Sequence, residues 1–221
     1  MDQKKLDQQS QHWENSFLNK PEMFGLEPSK AAIKALELFK KKNIRNIIEL
    51  GAGLGRDTIF FAKNSIYVEA LDYSNTSIEN IKNKSIILKF NKLIKSKFFD
   101  VRKKLPFKDN SIQACFSHML YCMALSNSDI ENLNNEICRV LKPGGINVYT
   151  VRNTDDGDYK NGIHIGEDLY ENDGFIVHFF SKDKINQFSK GFEILGIEKF
   201  EEGKFPRKLF IVIQKKKSLS G

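Results

Sequence analysis

The sequence predicts an α/β fold: a three-layer sandwich on a seven-stranded, mostly parallel sheet that closes with a C-terminal antiparallel hairpin. Three observations carry this expectation. Short apolar segments alternate with amphipathic ones from about residue 30 to about residue 152, the pattern of a parallel sheet covered by helices on both faces. The first apolar segment runs straight into a glycine-rich turn, IIELGAGLGRD over 47–57. The last two strand-like segments, FEILGIEKFEE and KLFIVIQK, are joined by the short Gly203–Arg207 link, which suits an antiparallel pair.

Taken in order, residues 1–28 form a mostly polar arm with apolar anchors at Trp13, Phe17, Met23 and Phe24. One domain follows over 29–217, with a tail at 218–221. Ser29 is placed as an N-cap, and AAIKALELF has apolar residues at helical spacing, so a helix is expected to about Lys41. IRNIIEL is the first strand, DTIFFAKN the helix after the glycines and IYVEALD the second strand. Ser74 caps a helix through the mid-eighties; LIKSKFFD and SIQACFSHM are the third and fourth strands. A helix from about Asp129 to Leu141 is stopped by Lys142-Pro143-Gly144-Gly145, and INVYTVR is the fifth strand. Arg152 to Gly174 reads as a long polar excursion over the strand ends, and a helix near Ser181–Ser189 precedes the hairpin. The run Lys215-Lys216-Lys217 falls in a frayed tail.

A chain of 221 residues is long enough for one domain with a sizeable core. The N-terminal MDQKKLDQQS lacks the apolar core of a signal peptide, and no apolar run approaches the roughly 18 to 20 residues of a spanning helix. Three cysteines without CxxC spacing (Cys115, Cys122, Cys138) read as reduced thiols. The expectation is a cytoplasmic protein with no membrane contact, a monomer or a homodimer. A net charge of +7 admits a nucleic-acid partner. The lysines are scattered, however, and arginine, which grips phosphate bidentately, is scarce. Nucleic acid is therefore not favoured.

The glycine turn narrows the ligand. A dinucleotide fingerprint wants a third small residue where the helix packs on its strand. Gly51 and Gly53 fit, but Arg56 stands in the third position and the additional glycine is Gly55. A Gly-Lys-Ser/Thr phosphate loop is absent. Asp72, ending the second strand about 20 residues after the glycines, is placed to accept both hydroxyls of a ribose. Asp100, ending the third strand, suits an exocyclic amine such as adenine's. The ligand is then adenosine-like, without a pyrophosphate in the turn. Plainer roles stand beside these: Asp72 as a helix cap, Asp100 as a turn residue, Glu49 as a tie for loop amides.

With these residues in place the chain resembles the class I S-adenosylmethionine-dependent methyltransferases. The matching stretches are ELGAGLGRD (49–57), ALDYS (70–74), FFDVRKKLPFKDNSIQACFSHML (98–120) and RVLKPGG (139–145), in that family's order. The resemblance implies a Rossmann-like domain and S-adenosylmethionine as cofactor, with S-adenosylhomocysteine as product. It implies that Glu49 and the turn Gly51, Ala52, Gly53 and Gly55 hold the methionine end. Asp72 would bind the ribose, Tyr73 would flank the adenine, and Asp100 with the Val101 backbone would read its amine. Ser117 would border the methionine moiety and the acceptor.

Methyl transfer is an in-line displacement in which positioning and desolvation weigh heavily, and a hydroxyl or amine acceptor also needs somewhere to put its proton. The fourth strand ends Phe116-Ser117-His118-Met119, not in the Asp/Asn-Pro-Pro-aromatic signature of enzymes acting on base amines. No paired acidic pattern, radical CxxxCxxC cluster or metal-ligand spacing appears. His118 and Tyr121 are the candidate catalytic residues, His118 either as a base or as a hydrogen-bonded rim residue. Trp13, Phe17, Phe24, Cys122 and His178 are candidates for the acceptor side, while Cys115 has core spacing. The arm loosely resembles the covers of the thiopurine and tellurite-resistance-like small-molecule branch. A small enclosed pocket is expected, its acceptor a thiol, chalcogen or arsenic compound, or an oxygen or nitrogen nucleophile. The alternatives are an RNA or protein methyltransferase, or a catalytically silent S-adenosylmethionine-binding protein.

Overall fold

Serine side chains set most helix starts in the computed structural model, which describes residues 3–21, 23–203 and 207–218. Ser29, Ser74, Ser126 and Ser181 each accept a hydrogen bond from the first-turn backbone of the helix that follows, satisfying amides that the helix itself leaves open. The elements in chain order are α1 (Gln3–Asn19), α2 (Lys30–Lys41), β1 (Asn46–Leu50), α3 (Arg56–Lys63), β2 (Tyr67–Asp72), α4 (Asn75–Ile87), β3 (Ile94–Phe98), β4 (Ile112–Ser117), α5 (Asn127–Val140) and β5 (Leu141–Arg152). There follow β6 (Ile163–Gly166), β7 (Leu169–Asn172), β8 (Phe175–His178), α6 (Lys182–Gln187), β9 (Phe192–Glu202) and β10 (Arg207–Lys216).

The main sheet has seven strands in the order β3-β2-β1-β4-β5-β10-β9. β1 pairs parallel with β2 and with β4, whereas β10 is antiparallel to both β5 and β9. Side chains alternate across it: Ile47 joins a core beneath α2, α3 and α4, and Ile48 joins one beneath α5 and α6. Strand order reverses between β1 and β4, so a crevice opens at their carboxyl ends, where open α/β sheets bind ligands. Gly51 and Ser117 stand at that point.

Three features differ from the sequence reading. The arm is a 17-residue helix, its buried stripe formed by Leu6, Gln9 and Phe17; a glutamine in the stripe hides the period. The excursion after β5 holds a second, three-stranded antiparallel sheet, β6-β7-β8, whose four-residue strands are too short and too polar to show a period. The lysines at 215 and 216 belong to β10, where Lys215 pairs with Glu193 and Lys216 reaches the Leu141 carbonyl, and the Lys217 amide bonds Gly191. Residues 219–221 of the expected tail lie outside the described residues.

Candidate functional site

The glycine turn is locked by its own backbone. Gly51, Gly53 and Gly55 have φ of 67°, 51° and 80°, the left-handed region that costs a side chain dearly. The Gly51 and Ala52 amides donate to the Leu71 carbonyl at 2.8 and 3.2 Å, and the Gly53 amide donates to Asp72 Oδ2 at 2.8 Å. A Cβ on Gly55 would lie 2.5 Å from Ile81 Cγ1, so this glycine serves the packing of α3 on α4. A Cβ on Gly51 would lie 3.0 Å from Leu120, and one on Gly53 would lie 3.7 Å from the Phe17 ring. The turn is thus walled by two apolar side chains, one from beyond β4 and one from α1.

Asp72 is buried, and its second oxygen accepts from the Ser74 amide at 2.9 Å. Burial pushes its carboxyl up to about 6 against the pull of those amides. Two of the roughly four acceptor positions of a carboxylate remain for a ligand. Glu49 is buried and accepts from Thr58 Oγ1 at 2.6 Å; burial, then the nearby Asp57 carboxylate, raise it well above the usual range. It ties the turn to α3. Burial raises the Tyr73 phenol, and the Val101 side chain belongs to the core.

Asp100 departs from expectation. Its carboxylate takes the Arg102 amide at 3.0 Å and a fork from the Arg102 guanidinium at 2.7 to 3.1 Å. Burial raises this carboxyl, and the Arg102 bonds outweigh it, leaving it below the usual range. Three of its roughly four acceptor positions are thus taken by Arg102. Arg102 in turn holds Asp7 of α1.

The end of β4 carries the second half of the site. Ser117 is fully buried and its Oγ has no partner among the described residues, an orphan that calls for a ligand or water. His118 Nδ1 lies 3.0 Å from Thr150 Oγ1, which also accepts from the Met119 amide. Burial, then Arg56 and Arg207, drive the imidazole down to about 3. Met119 has φ of 61°, a strained conformation for a side chain of its size, and it turns the chain so that Leu120 faces Gly51. The sequence reading missed three residues here. Arg56 donates to Glu202 Oε1 at 2.8 Å and to the Phe24 carbonyl at 3.0 Å, and His118 Nε2 lies 3.6 Å from Glu202. Arg56, Thr150 and Glu202 come from α3, β5 and β9, and no local motif joins them.

Three expected site residues are held elsewhere. Tyr121 is fully buried, stacked on Tyr149 at 4.2 Å, and its hydroxyl donates to Asn134 at 2.7 Å; it is core, not catalytic. The buried Cys122 thiol bonds the Met119 carbonyl and is pushed up to about 11 by burial. His178 places Nδ1 2.7 Å from the Leu125 carbonyl and Nε2 2.6 Å from Lys184 Nζ, which leaves neither nitrogen for an acceptor. Burial, then Lys184, lower it to about 4.

Trp13, Phe17 and Phe24 do meet. Trp13 lies 5.4 Å from Phe17 and 6.3 Å from Phe24, and it touches Phe175 of β8 at 5.0 Å. α1 bonds α4 through Glu14 and Thr76 at 2.6 Å, and β8 through Gln9 and the Ile176 amide at 3.1 Å. It therefore spans from the glycine turn to the second sheet. Among the described residues no cluster of His, Cys, Asp and Glu is arranged to hold a metal ion, and no helix is long and apolar enough to cross a membrane.

Comparison with known proteins places this geometry. Residues 47–145 match a family described as a methyltransferase domain. The chain is 38% identical to phosphoethanolamine N-methyltransferase 1 of Triticum aestivum over 102 residues, 46% of this chain and 20% of that protein. It is 27% identical to tRNA N(3)-cytidine methyltransferase METTL2 of Bos taurus over 170 residues, 70% of this chain and 42% of that protein. The chain thus spans less than half of either relative. Among solved structures, 1,6-didemethyltoxoflavin-N1-methyltransferase of Burkholderia thailandensis shares the fold with a TM-score of 0.73 at 14% identity, covering 95% of this chain and 87% of that one.

Proposed function

From the match of residues 47–145 to a methyltransferase-domain family, we propose that this chain is a class I S-adenosylmethionine-dependent methyltransferase that acts on a small-molecule acceptor, with α1 as the cover of the site. The domain's cofactor is S-adenosylmethionine, which when bound supplies an electrophilic methyl group. The observation that carries the donor half is the pairing of a left-handed glycine turn with a buried carboxylate that already holds the turn's Gly53 amide. Asp72 offers its remaining acceptor positions to ribose hydroxyls. Gly51, Gly53 and the orphaned Ser117 hydroxyl border the methionine end, and Leu120 and Phe17 keep water from the reacting centre. Catalysis on this reading is mostly positioning.

The acceptor half rests on α1. Its Trp13 and Phe17, with Phe24, form an aromatic cover between the donor turn and the second sheet, a setting suited to a small ligand. A second reading has two supporting observations: the bovine tRNA methyltransferase aligns over 70% of this chain, and the chain carries +7 net charge. One screen separates them. Amines, azoles, phenols, thiols, arsenite and unmodified tRNA are each incubated with protein and isotopically labelled S-adenosylmethionine, and the products are weighed by mass spectrometry. Label in a small molecule is expected; label in tRNA alone would replace this reading with the second, and label in nothing would leave a silent binder.

A further inference from the structure

Glu202 ends β9, where the hairpin curls over the carboxyl edge of the sheet to meet α3. Its side chain is only 18% exposed. One oxygen, Oε1, accepts from the Arg56 guanidinium at 2.8 Å and lies 3.6 Å from His118 Nε2. The other, Oε2, is buried with no hydrogen-bond partner among the described residues. Buried carboxylate oxygens are normally satisfied, because an unmet one forfeits its hydration without return. Arg56 is itself anchored on the Phe24 carbonyl and lies over the Phe24 ring at 5.8 Å, so Oε1 is held while Oε2 is left unmet. The charged groups around it are Arg56 and the buried Asp57 of α3, His118 after β4 and Arg207 opposite it on β10. The hydroxyl of Ser117, which precedes His118 in the chain, is orphaned as well.

We propose that Glu202 Oε2 is the acceptor-facing group of the site, and that the acceptor presents to it a proton-bearing nitrogen or oxygen nucleophile rather than a soft anion such as a thiolate. This rests on the methyl-transfer reading and adds the acceptor's class. A thiolate would bring a second negative charge to the carboxylate; an N–H or O–H group satisfies it. As the acceptor's lone pair forms the new bond to carbon, the electron pair of the broken bond leaves with sulfur, and the acceptor's proton passes to Glu202 Oε2. His118 is not the recipient: its Nε2 faces Glu202 Oε1, and burial, then Arg56 and Arg207, oppose a positive imidazole.

Sinefungin, the donor analogue with an amine in place of the transferred methyl, probes Oε2 without any acceptor. Calorimetry on the full chain compares it with S-adenosylhomocysteine. Wild type is expected to prefer sinefungin by about ten-fold, the order of the attraction between an ammonium and a carboxylate set about one acceptor atom apart in a partly buried site. Glu202→Gln should bring that preference to about two-fold or less with S-adenosylhomocysteine affinity unchanged, and Glu202→Asp should keep part of it. No preference in wild type, or equal preference in all three proteins, overturns the proposal and leaves the donor site standing. Failure of wild type to bind S-adenosylhomocysteine sinks the methyl-transfer reading itself, and this proposal with it. Should the Gln variant lose S-adenosylhomocysteine binding too, the Asp variant decides: binding retained with the wild-type preference or with none overturns the role, as does the loss of binding in both.

Discussion

Asp72 joins the turn and the ligand at a single side chain. Ionised, it accepts the Gly53 and Ser74 amides and has room for ribose hydroxyls; protonated, it gives up acceptor positions for a donor that a ribose hydroxyl can satisfy less well. Its carboxyl is pushed up to about 6 in the ligand-free fold. The sign follows: donor affinity is fully present above that value and is lost as pH falls through it, by up to about ten-fold per pH unit for one coupled proton. Affinity for S-adenosylhomocysteine measured between pH 8 and pH 5 should therefore drop in the wild type and stay nearly flat, though weaker throughout, in Asp72→Asn. A flat wild-type curve would remove Asp72 from the ligand. At this scale the sequence was informative where a residue's role is local. The glycines and Asp72 are adjacent to the strands that aim them, so spacing alone exposes them. Tyr121 and His178 look like rim residues in sequence, but they turn inward to Asn134 and Lys184, partners 13 and 6 positions away that no pattern announces.

Among the elements, α1 is the one whose role reaches furthest. It joins neither of the two large cores, contributing Leu6 to a small satellite cluster with Ala124, Leu169 and Ile176 and Phe17 to the glycine turn. Burial of two such side chains is worth roughly 3 to 6 kcal/mol at most, and the seven-stranded sheet does not depend on it. Deleting residues 1–19 should leave a cooperatively folded protein by thermal unfolding. Turnover with the acceptor found in the labelling screen should fall by about ten-fold or more, since the cover excludes water and completes the site. Full turnover in the shortened protein would contradict the cover. The helix itself was hard to read because Gln9 occupies its buried stripe and bonds the β8 edge. The second sheet was hidden for a related reason: strands of four residues give an alternation too brief to separate from a loop. By contrast β1, β2, β4 and β5 are mostly buried along their length and alternate with helices, a pattern that tolerates little else.

For the whole molecule, the topology explains why chemistry-bearing residues from distant parts of the chain converge. The order β3-β2-β1-β4-β5-β10-β9 puts its reversal between β1 and β4, and the hairpin of β9 and β10 brings Glu202 back over that same edge to Arg56 and His118. The parallel sheet and its closing hairpin were legible in the sequence; this last convergence was not, because Glu202 reads there only as the polar end of a strand. The measurement that bears most directly on the central claim is calorimetric titration of S-adenosylhomocysteine into the wild type and Asp72→Ala at neutral pH. The glycine turn and Asp72 as donor site predict saturable one-to-one binding to the wild type, weakened by about ten-fold or more in the variant, as loss of hydrogen bonds to a charged group should do. Equal affinity in the two proteins, or no heat of binding to either, would contradict it.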